Sequence, residues 1–354
     1  MSREATPLDR YDHAAEASAA VVIGRYSTSF GAAARLLDPN ARRRIRSIYA
    51  LVRVADEVVD GTARAAGLDD GELLDVLDEL ESETETAMRR GYSANLVVHA
   101  FALTARDAGI GEQLTRPFFA SMRRDLDPSP IRAEEVGPYI HGSAEVVGLM
   151  CLAVFLMEEP PDAGRRARLE EGAAHLGAAF QKINFLRDLA VDWQELGRNY
   201  FPWVDPDAFT ESDKRGILAD IDLDLEIAGR TIRELPRRAR AAVAAAHGLF
   251  SRLAERCRET PAEQLIATRI RVPDPEKLAI AVRAAIAPGG IGRRPRHPSA
   301  SWSSAAASPG WRRRRCSPAT GITSRCSRPG ASWAGAPARG SGGASGSTRV
   351  RRGT

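Results

Sequence analysis

Between residues 15 and 287 apolar side chains recur at intervals of three and four, alanine is frequent, and β-branched residues are scattered rather than alternating. That pattern describes amphipathic helices, and strand signals are nearly absent. The spacing predicts helices near 17–37, 38–61, 71–90, 93–108, 113–125, 134–157, 165–197, 213–233, 236–258 and 274–286. The second is bounded on both sides in LDPNARRRIRSIYALVRVADEVVDG: Asp38 suits the cap, Pro39 the first helical position and Gly61 the C-terminal cap. No segment repeats with a fixed period, so about 270 residues of helix are expected to pack as one all-α domain.

Two of these helices carry a polar row on an otherwise apolar surface. In the first, Tyr49, Arg53, Asp56 and Asp60 follow steps of four, three and four, which places them on one side. Ile45, Ile48, Leu51, Val54 and Val58 occupy the rest of the circumference. A helix apolar nearly all round is a buried helix, so the row should look into an interior cavity rather than bulk water. The second helix repeats the arrangement with Gln181, Asn184, Asp188 and Asp192, and Arg187 stands beside Asp188. One such acid pair is common on solvated helix faces; two on buried helices imply a shared pocket.

Four carboxylates in one pocket repel, by roughly 3 kcal/mol for two like charges ~6 Å apart at an effective dielectric near 20. Arg53 and Arg187 do not offset this, so either some acids stay protonated or a divalent cation is present. Oxygen donors without His or Cys suit Mg²⁺, with Mn²⁺ as a substitute, far better than Zn²⁺. Mg²⁺ is commonly shared with phosphate, which points to a diphosphate whose oxygens Arg53, Arg187 and Arg198 can meet. The Ala, Val, Leu, Met and Phe of the helical walls then imply a long hydrocarbon substrate and a dry site for a carbocation.

Composition changes this picture only at the ends. From residue 288 to 354 there are 13 Arg and no Asp, Glu or Lys, with abundant Ser, Gly, Ala and Pro, so this tail is expected to be disordered. The formal charge of +4 therefore divides into +13 for the tail and −9 for residues 1–287, which argues against a body built to hold nucleic acid. Residues 1–14 read as a flexible N-terminus without the apolar core of a signal peptide. Cys151, Cys257, Cys316 and Cys326 show no metal or disulfide spacing, as expected of thiols in a reducing cytoplasm. The longest apolar run, VVGLMCLAVFLM at 146–157, is 12 residues and reads as a buried helix too short to span a bilayer.

Taken in order from residue 22 to 285, the motifs resemble the squalene/phytoene synthase family of head-to-head prenyl transferases. YSTSF (26–30) is similar to its Ser-x-Ser-Phe element and RRIRSIYALVRVADEVVDG to its first aspartate-rich region. YIHGSAEVVGLM (139–150) resembles its central helix, LGAAFQKINFLRDLAVDWQELGRNYFP (176–202) its second aspartate-rich region, and TRIRVPDPEKLAIA (268–281) its closing element. The resemblance implies the isoprenoid synthase fold, a single helical domain around a central cavity holding Mg²⁺ and two prenyl diphosphates. It assigns Asp56, Asp60, Asp188 and Asp192 to the metal. Ser27, Ser29, Tyr49, Arg53, Gln181, Asn184, Arg187 and Tyr200 would bind diphosphate or shape its surroundings, and Phe30 would line the cavity.

Some positions depart from the family pattern. Ser143 and Glu145 stand where many relatives carry Val and Gly. Glu145 is either a further acid near the metal or, preferably, an ion-pair partner. Lys182 reads equally as a diphosphate contact and as a surface lysine with its head in water. His141 and His175 read as structural.

Within the family the expected product is phytoene, made from two geranylgeranyl diphosphates without NADPH. The match runs almost directly into the Arg-rich tail with no apolar anchor, and high Ala and Arg with three Lys suggest a GC-rich bacterium. The alternatives are squalene, presqualene diphosphate or dehydrosqualene made from farnesyl diphosphate, a non-catalytic binding protein on the same fold, and a class I terpene cyclase. The last lacks its usual D-D-x-x-D pattern here. The expected location is the cytoplasm, with peripheral contact at the inner face of the cell membrane because substrate tails and product are lipids.

Overall fold

The computed structural model describes residues 6–194 and 197–286, and the tail expected to be disordered lies outside them. The helices expected from the spacing are recovered, two of them interrupted, and no strand occurs among the described residues. The first half comprises α1 (Pro7–Tyr26), α2 (Thr28–Ala34), α3 (Pro39–Val59), α4 (Thr62–Ala65), α5 (Asp70–Arg90), α6 (Leu96–Ala108) and α7 (Glu112–Leu126). The second comprises α8 (Ala133–Ile140), a π-helical turn (His141–Glu145), α9 (Val146–Leu156), α10 (Ala163–Arg187), α11 (Leu189–Gln194), α12 (Glu211–Thr231), α13 (Arg237–Glu259), α14 (Ala262–Leu265) and α15 (Asp274–Ile286).

Three boundaries differ from the expectation, each for a local reason. The N-terminus is helical from Pro7, not flexible to residue 14. A reciprocal cap, Asp9 N donating to Thr6 Oγ1 at 3.1 Å and Thr6 N to Asp9 Oδ2 at 2.8 Å, starts α1, whose Ala15, Ala19 and Ile23 are buried. The helix expected over 17–37 breaks at Ser27, which leaves helical geometry at φ −140° and caps α2 by accepting from Phe30 N at 3.0 Å. The helix expected over 165–197 breaks at Asp188 (φ −103°, ψ 10°) and resumes as α11, with Asp192 N still donating to Asp188 O at 2.9 Å.

Two apolar cores flank the cavity. One joins α3, α5, α6, α7 and α9 through Leu51, Leu73, Leu77, Phe101, Phe119 and Met150. The other joins α10, α12 and α13 through Ile183, Leu186, Ile217, Ile221, Phe250 and Leu253. The apolar run at 146–157 belongs to a longer helix, Ala133–Leu156, whose 24 residues satisfy the length and hydropathy of a membrane span. Half of its most apolar stretch is buried inside the protein, and α3, α7 and α10 pack on α9, so it serves as a core helix.

The π turn sits where backbones approach closely. A Cβ on Gly177 would lie 2.5 Å from Ala144 O, and one on Gly148 would lie 2.6 Å from Ala173 O, so α10 meets the π turn and α9 along glycines. Backbone, not a flexible side chain, blocks the added atom. Gly177→Ala is accordingly expected to lower stability by about 1–3 kcal/mol, seen as a lower urea midpoint at unchanged slope.

Candidate active site

A cavity of about 1300 Å³ lies between the two cores. That exceeds the ~300–1,000 Å³ typical of a pocket for one small ligand. On α3 its lining passes from Ile45 and Ile48 through Tyr49, Val52 and Arg53 to Asp56 and Asp60, and on α10 from Leu169 and Leu176 through Gln181 and Asn184 to Asp188. Fifteen helical residues from Ile45 to Val59, just before Asp60, span about 22 Å, so the cavity has an apolar floor and a polar mouth. Leu37, Leu152, Phe155, Leu169 and Leu235 close the floor.

Both polar rows therefore face one space, as their spacing predicted. Ser27, Phe30, Tyr49, Arg53, Asp56, Asp60, Gln181, Asn184, Arg187, Asp188, Asp192, Arg198 and Tyr200 all line it. The Ser29 side chain lies outside the described residues. Phe30 reaches the wall with ring centroids 6.3, 6.1 and 5.9 Å from Tyr49, Phe180 and Phe250.

Two of the acids sit at helix ends that disfavour anions, while Asp192 lies in the first turn of α11. Asp60 is the C-terminal cap of α3 and Asp188 that of α10, where the helix dipole adds negative potential. Burial first, and then the neighbouring Asp60 charge, push the Asp56 carboxyl up to about 7. Burial and the adjacent Asp188 charge bring Asp192 to about 7 as well, and burial raises Asp60 despite Arg198. Asp56 keeps 31% of its side-chain surface accessible, but that surface faces the cavity rather than bulk solvent.

Cations are unevenly distributed among them. Asp188 is held by Arg187, whose Nε lies 2.9 Å from Oδ1, and by Arg269, whose Nε lies 2.7 Å from the same oxygen. Asp60 faces Arg198 at 3.5 Å, and Asp56 faces Arg53 at only 3.9 Å. No cation lies within ion-pair distance of Asp192 among the described residues. Arg53 itself leans on Glu57 and stacks over the Tyr26 ring at 4.6 Å, leaving its buried Nε without a hydrogen-bond partner.

Two participants, Asp125 and Arg269, escaped the sequence reading. Asp125, at the end of α7, lines the cavity and accepts from the hydroxyls of Tyr139 at 2.8 Å and Tyr200 at 2.9 Å; burial brings its carboxyl to about 6. Arg198 ties it to the helix ends, donating to Val59 O at 3.1 Å and Asp125 O at 3.0 Å. Nothing in RRDLDPSP marks Asp125, whereas Arg269 stands in the closing motif and could have been flagged from it.

The residues with open readings resolve as follows. Glu145 is buried in the π turn and pairs with His141 Nδ1 at 3.1 Å; it does not line the cavity. Lys182 is neither a diphosphate contact nor a surface lysine. It is 3% exposed and pairs with Asp220 and, at 2.6 Å, with Asp224, whose other oxygen takes His175 Nδ1 at 2.6 Å. One residue beyond Gln181 on a helix points about 100° away, here into α12.

The donor set fits a divalent cation of the Mg²⁺ type. It offers carboxylate oxygens from α3, α10 and α11, two of which, Asp56 and Asp192, are raised by burial and then by a neighbouring aspartate, and no histidine is among the described lining residues. No three His, Cys, Asp or Glu side chains among the described residues converge on one point, so a bound ion would need oxygens from a ligand or water as well.

A helical shell around a deep apolar cavity with an acidic, arginine-flanked mouth defines an isoprenoid synthase fold. The solved structures agree: a dehydrosqualene synthase in complex with a ligand aligns with a TM-score of 0.65 at 19% identity, covering 79% of this chain and 98% of that one. The sequence model of the squalene/phytoene synthase family matches residues 23–276, and the chain belongs to that family. A phytoene synthase of Synechocystis is 30% identical over 73% of this chain and 80% of its own length. Phytoene synthase 3 of Zea mays is 31% identical over 56% of this chain, and the match spans less than half, 45%, of the maize protein.

Proposed function

We propose that the protein is a prenyltransferase of the phytoene synthase type, joining two geranylgeranyl diphosphates head to head in carotenoid biosynthesis. The observation that carries this reading is the gathering of four aspartates and Arg53, Arg187, Arg198 and Arg269 at the mouth of one long apolar cavity. Relatives named phytoene synthase support the choice of product class.

Asp56, Asp60, Asp188 and Asp192 would hold Mg²⁺, which supplies charge neutralisation for a departing diphosphate. The orphaned Arg53 Nε is free to donate to a diphosphate oxygen, and Arg187 and Arg269 are close enough to exchange Asp188 for one. Asn184 and Gln181, one and two turns deeper than Asp188, orient the group. Loss of diphosphate leaves an allylic cation in a wall of Val52, Val147, Leu176 and Phe180, which excludes water as a competing nucleophile. The double bond of the second substrate attacks that carbon, and loss of a proton gives a cyclopropylcarbinyl diphosphate. A second ionisation, rearrangement and proton loss end the sequence without a reductant. Expected from the purified protein with Mg²⁺ and geranylgeranyl diphosphate is a forty-carbon hydrocarbon without NADPH, identified by mass. A thirty-carbon product from farnesyl diphosphate would overturn the substrate, and no product from either, in folded protein, would leave a non-catalytic binding protein.

A further inference from the structure

We propose that the exposed apolar stripe of α15 seats the protein on an anionic lipid bilayer, with the cavity mouth beside the contact. Leu278, Val282 and Ile286 are 67%, 48% and 79% exposed. Spaced four apart, they lie on one side of the helix, while Ala284 is buried and Ile280 packs toward Gly248 of α13 on the other. These three large apolar side chains keep 48–79% of their surface uncovered.

The stripe is continuous with the rim of the cavity. Asp274 and Lys277, in the first turn of α15, line the cavity directly before Leu278. The same helix packs on α2, whose Phe30 lines the cavity and is 39% exposed, and Tyr26, just before it, is 52% exposed. This inference rests on the proposed function for its purpose: a hydrocarbon product cannot leave through water, whereas a mouth held against acyl chains gives it an exit.

Charge selects the kind of surface. The body, at −9, is repelled by anionic headgroups, yet the sequence immediately after Ile286 turns basic. Arg293, Arg294 and Arg296 follow within ten residues, the first of 13 Arg with no acid before the end of the chain. A short apolar stripe and a polybasic segment are the two signals that together hold a peripheral protein, each being weak alone. A second copy fits less well, because a stable dimer buries roughly 800 Å² per partner and three side chains fall well short of it.

The test is co-flotation of the full chain with phosphatidylcholine vesicles with and without phosphatidylglycerol. Binding is expected only with the anionic lipid, weakening as salt rises. Leu278→Ser/Val282→Ser/Ile286→Ser should reduce the bound fraction about tenfold, while Leu74→Ser/Leu223→Ser, exposed at 40% and 54% elsewhere, should not. Flotation of the triple variant like the parent would overturn the proposal, as would a parent that stays off vesicles but forms a dimer the triple variant loses. Turnover of detergent-dispersed substrate, measured in parallel, reports on the site separately: flotation without product would remove the proposed reaction and leave the lipid seat standing.

Discussion

Asp56→Asn and Asp192→Asn, each made alone, are expected to lower turnover about a thousandfold while stabilising the metal-free protein above neutral pH. The loss follows from removing a charged oxygen ligand at the mouth, where the remaining acids cannot replace its position. The gain follows from the raised carboxyls. Each has a folded value of about 7 against an ordinary 3.8. Below pH 3.8 both states carry the proton and the group is neutral to stability. Between 3.8 and 7 the unfolded chain releases a proton that the folded protein keeps, so stability falls as pH rises, and above 7 the full penalty remains. Asparagine removes that penalty, of the order of 1–2 kcal/mol once the solvent in the cavity is allowed for.

Thermal melts at pH 5 and pH 8 without divalent metal separate the two effects. The parent should lose stability across this interval and each Asn variant should lose less. Mg²⁺ added to the parent near pH 7 should release protons, read by titration calorimetry in two buffers of different ionisation heat. Variants that melt like the parent at both pH values would show that these carboxyls are ordinary, and retained turnover would remove them from the reaction.

Lys182→Met is expected to cost about 3–5 kcal/mol of folding free energy, more than the backbone clash of Gly177→Ala. The side chains of Lys182 and Asp224 are 3% and 5% exposed, so deleting the ammonium strands a carboxylate left, among the described residues, to His175. Removing the partner as well, in Lys182→Met/Asp224→Leu, should return most of the loss, because an apolar pair at this α10–α12 contact has nothing to desolvate. Urea unfolding of both variants reads the difference. A single variant within about 0.5 kcal/mol of the parent would mean the pair contributes little net stability.

Why that lysine was misread shows the boundary of a sequence reading. Gln181 and Lys182 are adjacent, and both belong to polar rows: one of Gln181, Asn184 and Asp188, the other of His175 and Lys182. Spacing identifies each row but not what it meets. The Asp220 and Asp224 carboxylates that bury Lys182 come from α12, some forty residues later in the chain, and only packing brings them there. The same holds for Asp125, an unremarkable acid until Tyr139, Tyr200 and Arg198 converge on it from two other segments. The break at Asp188 was also hidden, since its backbone turn leaves the four-residue spacing to Asp192 intact.

By itself the sequence determined the helical class, the length of nearly every long helix and the two rows of acids, because each depends on interactions within about one turn of chain. It also marked Asp56, Asp60, Asp188 and Asp192 as a set, since buried carboxylates at helical spacing need a common partner. The tertiary structure alone decided which polar faces share a cavity, which arginines compensate which acids, where the apolar floor closes and which face of α15 is left uncovered. Those outcomes depend on burial and charge between segments far apart in the chain, and a one-dimensional spacing carries no record of that distance.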